Sequence, residues 1–302
     1  MKHIKTISEF HEFRNLPRPQ HPLISVINVG TVPHFESDEP ESMILDFYSI
    51  AVKRMYNVKV KYGQQPFDFN EGIMSFMSPK QVFSIAVDNK DEEVKKSGWV
   101  IYIHPDFLWN TALAKTINQY DFWDYSLNEA LFLSEKEEEV INNIILTVKQ
   151  EYDSNIDRFS KQIILSQIES LLNYADRFYH RQFITREKAN HEVLDRLEKL
   201  LSEYFNSDDI NNRGLPTVRY VAENLHLSPK YLSNLLRILT GQNTQQHIHD
   251  KLIEKAKEKL STTNLTVSEI AYELGFEHLQ SFSKLFKTKT KLSPVKFRAS
   301  FN

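Results

Sequence analysis

Between residues 20 and 104 the apolar residues fall into short runs, at 23–29, 42–52, 57–62, 72–77, 81–87 and 99–103. The runs are rich in Val, Ile, Phe and Tyr. Turn formers separate them: Pro33, Gly63-Gln64, Asn70-Glu71-Gly72, Asp88-Asn89-Lys90 and Ser97-Gly98. Short strands at regular spacing with such turns predict an antiparallel barrel or sandwich. From about 134 to 205 the apolar period lengthens. Ser134 with Glu137 three residues on is a helix-start box, and Val140, Ile141, Ile144, Ile145 and Val148 then share one face. A second stripe runs from Phe159 through Ile163, Ile168, Leu172 and Phe178, and a third from Val193 through Leu197, Leu201 and Tyr204. Residues 206–216 have linker composition, and helical periodicity resumes over 217–302. The expected fold class is α+β: an antiparallel β-barrel at about 20–104, helices at about 134–205, and an all-α C-terminal domain. The expected domains are 1–205 and 217–302, joined by the linker 206–216.

The C-terminal region repeats itself. Thr217-Val218-Arg219-Tyr220-Val221-Ala222 aligns with Thr266-Val267-Ser268-Glu269-Ile270-Ala271, an offset of 49, and Leu232-Ser233-Asn234-Leu235-Leu236-Arg237 with Phe282-Ser283-Lys284-Leu285-Phe286-Lys287, an offset of 50. Each copy has a Thr able to cap a short helix, a small Ala that lets two helices cross closely, a turn, and a second amphipathic helix. Gly275 permits a positive φ in the second turn, where the first has His226. This pattern reads as two helix-turn-helix motifs. Residues 245–260 are helix-like, with Ile248, Leu252, Ile253, Ala256 and Leu260 on one side. A linker helix of that length, about 24 Å, suits two recognition helices set roughly one DNA turn apart.

Three runs carry a family resemblance: Ile270-Ala271-Tyr272-Glu273-Leu274-Gly275-Phe276, Ser281-Phe282-Ser283-Lys284-Leu285-Phe286-Lys287 and Leu292-Ser293-Pro294-Val295-Lys296-Phe297-Arg298. Together with Ser228-Pro229-Lys230-Tyr231-Leu232-Ser233 and Thr240-Gly241, they resemble the signature of AraC/XylS-family transcriptional regulators over roughly 217–300. Two positions depart from it: Lys291 stands where the family has Gly before Ser-Pro, and Leu252 where many members carry Arg. The N-terminal pattern is similar, more diffusely, to the family's cupin-like sensing and dimerisation domain. The resemblance implies base contacts from Lys230, Ser233 and Asn234 in the first recognition helix, and from Leu279, Gln280, Ser283 and Lys284 in the second. The periodicity agrees for most of these. Leu232, Leu235, Leu236 and Leu239 form the apolar side of the first helix and leave Lys230, Ser233, Asn234 and Arg237 outward; Phe282, Leu285 and Phe286 leave Gln280, Ser283, Lys284 and Lys287. Tyr231, Arg237 and Lys287 suit phosphate, and Asn or Lys can read a purine edge. Lys230 and Asn234 favour base discrimination by the first helix; Lys284, Lys287, Lys289 and Lys291 favour non-specific grip by the second.

Charge separates the two regions. The net charge is −3, but residues 213–302 hold 14 Lys and Arg against 7 Asp and Glu, a balance of +7. A basic end on an acidic body is what a nucleic-acid module joined to another domain shows. The expected partner is double-stranded DNA, with RNA polymerase as a further partner of an activator. The 302 residues contain no Cys and no apolar run of membrane-spanning length, and the first ten residues lack a signal-peptide core. A cytoplasmic protein that uses no membrane and no cofactor is expected.

Little points to catalysis, and no catalytic or metal-ligating residue is assigned. The barrel region offers His21, His34 and His104, scattered and without a His-x-His pair; surface or capping roles suit them better than metal ligation. With 7 Gly in all there is no phosphate loop. The alternative from another class is a cupin-type metal-dependent enzyme carrying a DNA-binding appendage. Aromatic residues such as Phe76, Trp99, Tyr102, Phe122 and Trp123 form either core or the lining of a pocket for a small-molecule effector. Ile141, Ile144, Ile145, Val148 and Tyr152, with Ile163, Ile164, Leu165 and Ile168, offer more apolar surface than one intramolecular contact needs. A homodimer through helices at about 134–178 is therefore expected.

Overall fold

The computed structural model describes residues 2–32, 41–55, 61–62, 65–66, 72–85, 96–154, 157–207, 210 and 213–301. They form two compact units, Met1–Gln182 and Phe183–Asn302.

In the first unit, β2 (Ile24–Asn28), β4 (Tyr48–Met55), β7 (Gly72–Met77), β9 (Lys96–Ile103) and β10 (Leu131–Leu133) form one antiparallel sheet in the order β10-β7-β4-β9-β2. A second sheet pairs β1 (Lys2–Ile4), β3 (Glu41–Leu45) and β8 (Val82–Ile85), with β1 parallel to β3. A two-stranded ribbon joins β5 (Lys61–Tyr62) to β6 (Gln65–Pro66). Ile50 lies opposite Ile101 and Phe76, so one face collects Ile24, Val26, Ile50, Val52, Met74, Phe76, Ile101 and Ile103, all buried. The other face is also covered. Phe10 of α1 (Ile7–Phe13) and Phe47 lie 4.6 Å and 5.4 Å from the Tyr102 ring. Strands covered on both faces read as continuous apolar runs rather than as clean alternation.

These sheets correct the expectation of a closed barrel. The run 42–52 is not one strand but two: it breaks at Asp46 and Phe47, and β3 pairs with β1 and β8 while β4 pairs with β7 and β9. The amide of Asp46 donates to Ile4 O (3.0 Å) and its carboxylate meets His3 (2.8 Å), which holds the break against the N-terminal strand.

After a one-turn helix α2 (Leu113–Thr116) come α3 (Glu135–Asp153) and α4 (Ser160–Thr185). The Ser134–Glu137 box caps α3 as expected, and Glu137 also pairs with Arg181 at 2.7 Å. Ile141, Ile145, Val148 and Tyr152 are buried, and α3 packs on β2 and β10. These four are covered within the chain, while Ile144 of the same expected stripe is half-buried. On α4, Ile164 and Ile168 are buried, while Ile163 is 40% exposed and Phe159, just before the helix, 52%.

Among its described residues the second unit holds helices and no strand: α5 (Glu187–Asn206), α6 (Val218–Leu225), α7 (Pro229–Thr240), α8 (Thr244–Thr262), α9 (Val267–Glu273), α10 (Leu279–Thr290) and α11 (Pro294–Ala299). One core joins Leu197, Leu201, Tyr204 and Phe205 of α5 to Val221, Ala222, Leu232, Leu236, Leu252, Ala256, Ile270, Ala271, Phe282 and Phe286. Helix α5, expected with the N-terminal domain, packs here instead. Its apolar stripe could not say which neighbour covers it. Ile210, inside the expected linker, is also buried in this core.

Candidate nucleic-acid interface

The repeat seen in sequence is a repeat of hydrogen bonds. Thr217 and Thr266 cap α6 and α9, accepting from Tyr220 N (3.1 Å) and Glu269 N (3.2 Å). Each helix ends with the same pair of bonds: His226 N to Glu223 O and Leu227 N to Ala222 O, then Gly275 N to Tyr272 O and Phe276 N to Ala271 O, all 2.9–3.1 Å. This end requires a left-handed residue, and His226 (φ +59) and Gly275 (φ +79) supply it. The recognition helices end alike as well, on Gly241 (φ +76) and Lys291 (φ +66), whose amides donate to Arg237 O and Lys287 O at 2.9 Å. Lys291 thus keeps the backbone that glycine adopts in the first copy.

The equivalence runs further than the sequence alignment. Thr240 and Thr290 each turn their hydroxyl to the carbonyl four residues back (2.8 Å) and accept the amide two residues on (3.2 and 3.3 Å). Asn243 and Ser293 then cap α8 and α11. Each copy is therefore three helices, and α8 is both the third helix of the first copy and the linker to the second. Its 19 residues span about 28 Å. The missed signal was the pair of N-cap residue types, Asn243 and Ser293, at the same offset of 50 as the recognition helices.

On α7, Leu232, Leu235 and Leu236 are buried, Lys230 and Arg237 are exposed, and Tyr231, Ser233 and Asn234 are half-buried. The Tyr231 ring meets Phe183 edge-on at 5.0 Å, so its apolar part packs inside the unit. The Ser233 hydroxyl lies 3.0 Å from that of Thr244, at the start of α8. On α10, Phe282 and Phe286 are buried, Gln280, Lys284 and Lys287 are exposed, and Ser283 is half-buried. Leu279 is half-buried and packs in part on the core. Lys289 departs from its expected role: its ammonium meets Asp250 at 2.5 Å, and Asp250 also accepts from Gln242 (2.8 Å). It ties α10 to α8 rather than pointing out as a free charge. Leu252 is fully buried on α8, and its neighbour Lys251 pairs with Glu254 at 2.9 Å.

The candidate histidines of the first unit have other partners. His104 Nδ1 accepts from Asp106 N at 3.2 Å and so caps a short turn, and His21 Nδ1 accepts from Leu23 N at 3.0 Å. His34 lies outside the described residues. Among the described residues no group of three or more His, Asp or Glu could hold a metal, and no helix is long and apolar enough to cross a membrane.

A family profile described as a helix-turn-helix domain matches residues 221–300. The chain is 29% identical over 142 residues to the arabinose operon regulatory protein of Escherichia coli (strain K12), which covers 47% of this chain and 46% of that protein. Residues 221–300, within the second unit, form a helix-turn-helix domain. A further relative of this domain is a protein named as an uncharacterized HTH-type transcriptional regulator, YfiF, of Bacillus subtilis (strain 168), 31% identical over 147 residues, or 48% of this chain and 43% of that one. Among solved structures, the C-terminal domain of AraT, a response regulator from Geobacillus stearothermophilus, is 30% identical over 36% of this chain and 84% of that chain, with a TM-score of 0.32. The chain spans less than half the length of these two curated relatives.

Proposed function

We propose that the whole chain is a transcriptional regulator that binds double-stranded DNA sequence-specifically, reading two successive major-groove segments with α7 and α10. The observation that carries this reading is the duplicated three-helix unit, whose two recognition helices each bury one side and carry cations and amides on the other. In this reading Lys230, Ser233, Asn234, Leu279, Gln280, Ser283 and Lys284 reach base edges. Asn suits adenine and Lys guanine, while Tyr231, Arg237 and Lys287 hold phosphate. The Ser233–Thr244 contact leaves the serine hydroxyl with further hydrogen-bonding capacity, since it can donate once and accept twice.

The first unit, in the same proposal, senses a small-molecule effector or joins two copies, and RNA polymerase is a further partner if the chain activates. For a homodimer the surface is now narrower. Phe159, just before α4, and Ile163 on it remain exposed, with Trp109 at 77%, whereas Ile141, Ile145, Val148 and Tyr152 of α3 are covered. Sedimentation of the full chain checks this part: a monomer at high micromolar concentration contradicts it.

The DNA claim is tested by titrating a labelled duplex at several salt concentrations. A module that neutralises several phosphates loses affinity steeply between about 50 and 200 mM salt. Flat binding over that range contradicts the reading.

A further inference from the structure

Two glycines of the second unit have nearly the same backbone and opposite surroundings. At Gly241 (φ +76) an added Cβ would meet nothing within 4 Å, whereas at Gly275 (φ +79) it would lie 3.0 Å from the carbonyl carbon of Gly214 and 3.1 Å from Leu215 N. The left-handed φ is not what demands glycine at 275. His226 occupies the equivalent place in the first copy at φ +59, with its side chain exposed. What differs is that residues 214–215 press against the second turn.

That segment is itself held. Gly214 donates its amide to Ile210 O (3.0 Å), and its carbonyl accepts the Tyr204 hydroxyl of α5 (2.9 Å). The Tyr204 ring lies 5.1 Å from Tyr220 of α6, and Arg196 of α5 donates to Leu225 O at the end of α6 (3.2 Å). Helix α5 therefore touches the first helix-turn-helix directly and the second through Gly214. The covalent connection between the two motifs is α8, gripped on the second copy by Lys259–Glu273 and Lys289–Asp250. Rotation of one copy against the other about the α8 axis would change the relative twist of the two recognition helices. A second strut off that axis resists it.

We propose that Tyr204, Gly214 and Gly275 are positioning residues. They brace the second recognition helix on α5 and so set the spacing between the two DNA segments that the chain reads. One base pair of extra spacing turns a half-site by about 34° and moves it by about 3.4 Å, since a helical turn is 10–10.5 bp and roughly 34–36 Å. A domain that distinguishes such steps must be stiff in twist. This proposal rests on the reading of α7 and α10 as a two-segment DNA reader.

The test uses the full chain and a duplex selected by the wild type from a randomised pool, remade with one base pair inserted or deleted between its two segments. Wild type is expected to prefer the selected spacing by about tenfold or more, the scale of one or two lost base contacts. Gly241→Ala, which has the same φ demand without the brace, keeps that ratio. Gly275→Ala and Tyr204→Phe lower it severalfold while leaving affinity for the first segment alone unchanged. A general loss of structure would weaken all duplexes together. If Gly275→Ala does not fold, Tyr204→Phe, which removes one hydroxyl, carries the test. Ratios equal to that of Gly241→Ala in both variants overturn the brace. A wild type that enriches no duplex, or shows no spacing preference, fails earlier, at the two-segment reading, and takes the brace with it.

Discussion

Replacing Lys291 by glycine should stabilise the second unit. Lys291 holds φ +66 and ψ −3 at the end of α10, where the first copy has Gly241 at φ +76 and ψ 1. A side chain in the left-handed region costs about 1–2 kcal/mol. Glycine relieves that strain but is freer in the unfolded chain, which offsets about 0.5–1 kcal/mol. The bond from Lys291 Nζ to Thr288 O (3.2 Å) is exposed and contributes little. A net gain of about 0.5–1 kcal/mol should raise the melting temperature of this unit by roughly 2–4 °C. Scanning calorimetry of the full chain measures it, and the reciprocal Gly241→Lys should show a fall of similar size. The same substitution removes an exposed cation, so the slope of log affinity against log salt should become shallower by up to about one. A lowered melting temperature for Lys291→Gly would refute the reasoning, because strain at φ +66 would then not be what the lysine costs.

Asn234→Ala should relax base preference at one or two positions and weaken the preferred site by about 1–3 kcal/mol, with little effect on random DNA. Lys284→Ala should lower both affinities together; a selection run in which only Lys284→Ala changes the motif reverses this division. Arg237→Ala and Lys287→Ala should weaken all duplexes about equally and flatten the salt dependence, and a changed motif in either variant contradicts their phosphate role. Burial holds the imidazoles of His11, His21, His247 and His249 below the ordinary value. The unfolded chain therefore binds more protons near pH 6.5, and stability should fall as pH drops from 7.5 to about 6. Thermal melts at those two pH values check the sign; an unchanged or higher melting temperature at pH 6 contradicts it.

The helix-turn-helix copies were legible because their constraints are local. A Thr cap, a small Ala at a crossing and a residue able to take φ > 0 are each written in one residue, at 217, 222 and 226 and again at 266, 271 and 275. The apolar stripes of α7 and α10 likewise left the outward residues by subtraction. Long-range pairing was not legible. The run 42–52 looks like one strand because Phe47, at the break, is as apolar as its neighbours, and the parallel partner β1 lies at the very start of the chain. The stripe on α3 predicted an apolar face but not that β2 and β10 cover it. The same limit moved α5 from one unit to the other. Lys289 shows it at the level of one side chain: nothing in its sequence neighbourhood points to Asp250, 39 residues away on another helix.

Hydroxyl-radical footprinting of the full chain on a duplex it has selected tests the central claim most directly. Two recognition helices reading successive major-groove segments should protect two patches on one face of the duplex, their centres about one helical turn, 10–10.5 bp, apart for each protein chain bound. Protection of a single patch per chain, or no sequence-dependent protection at all, would contradict it.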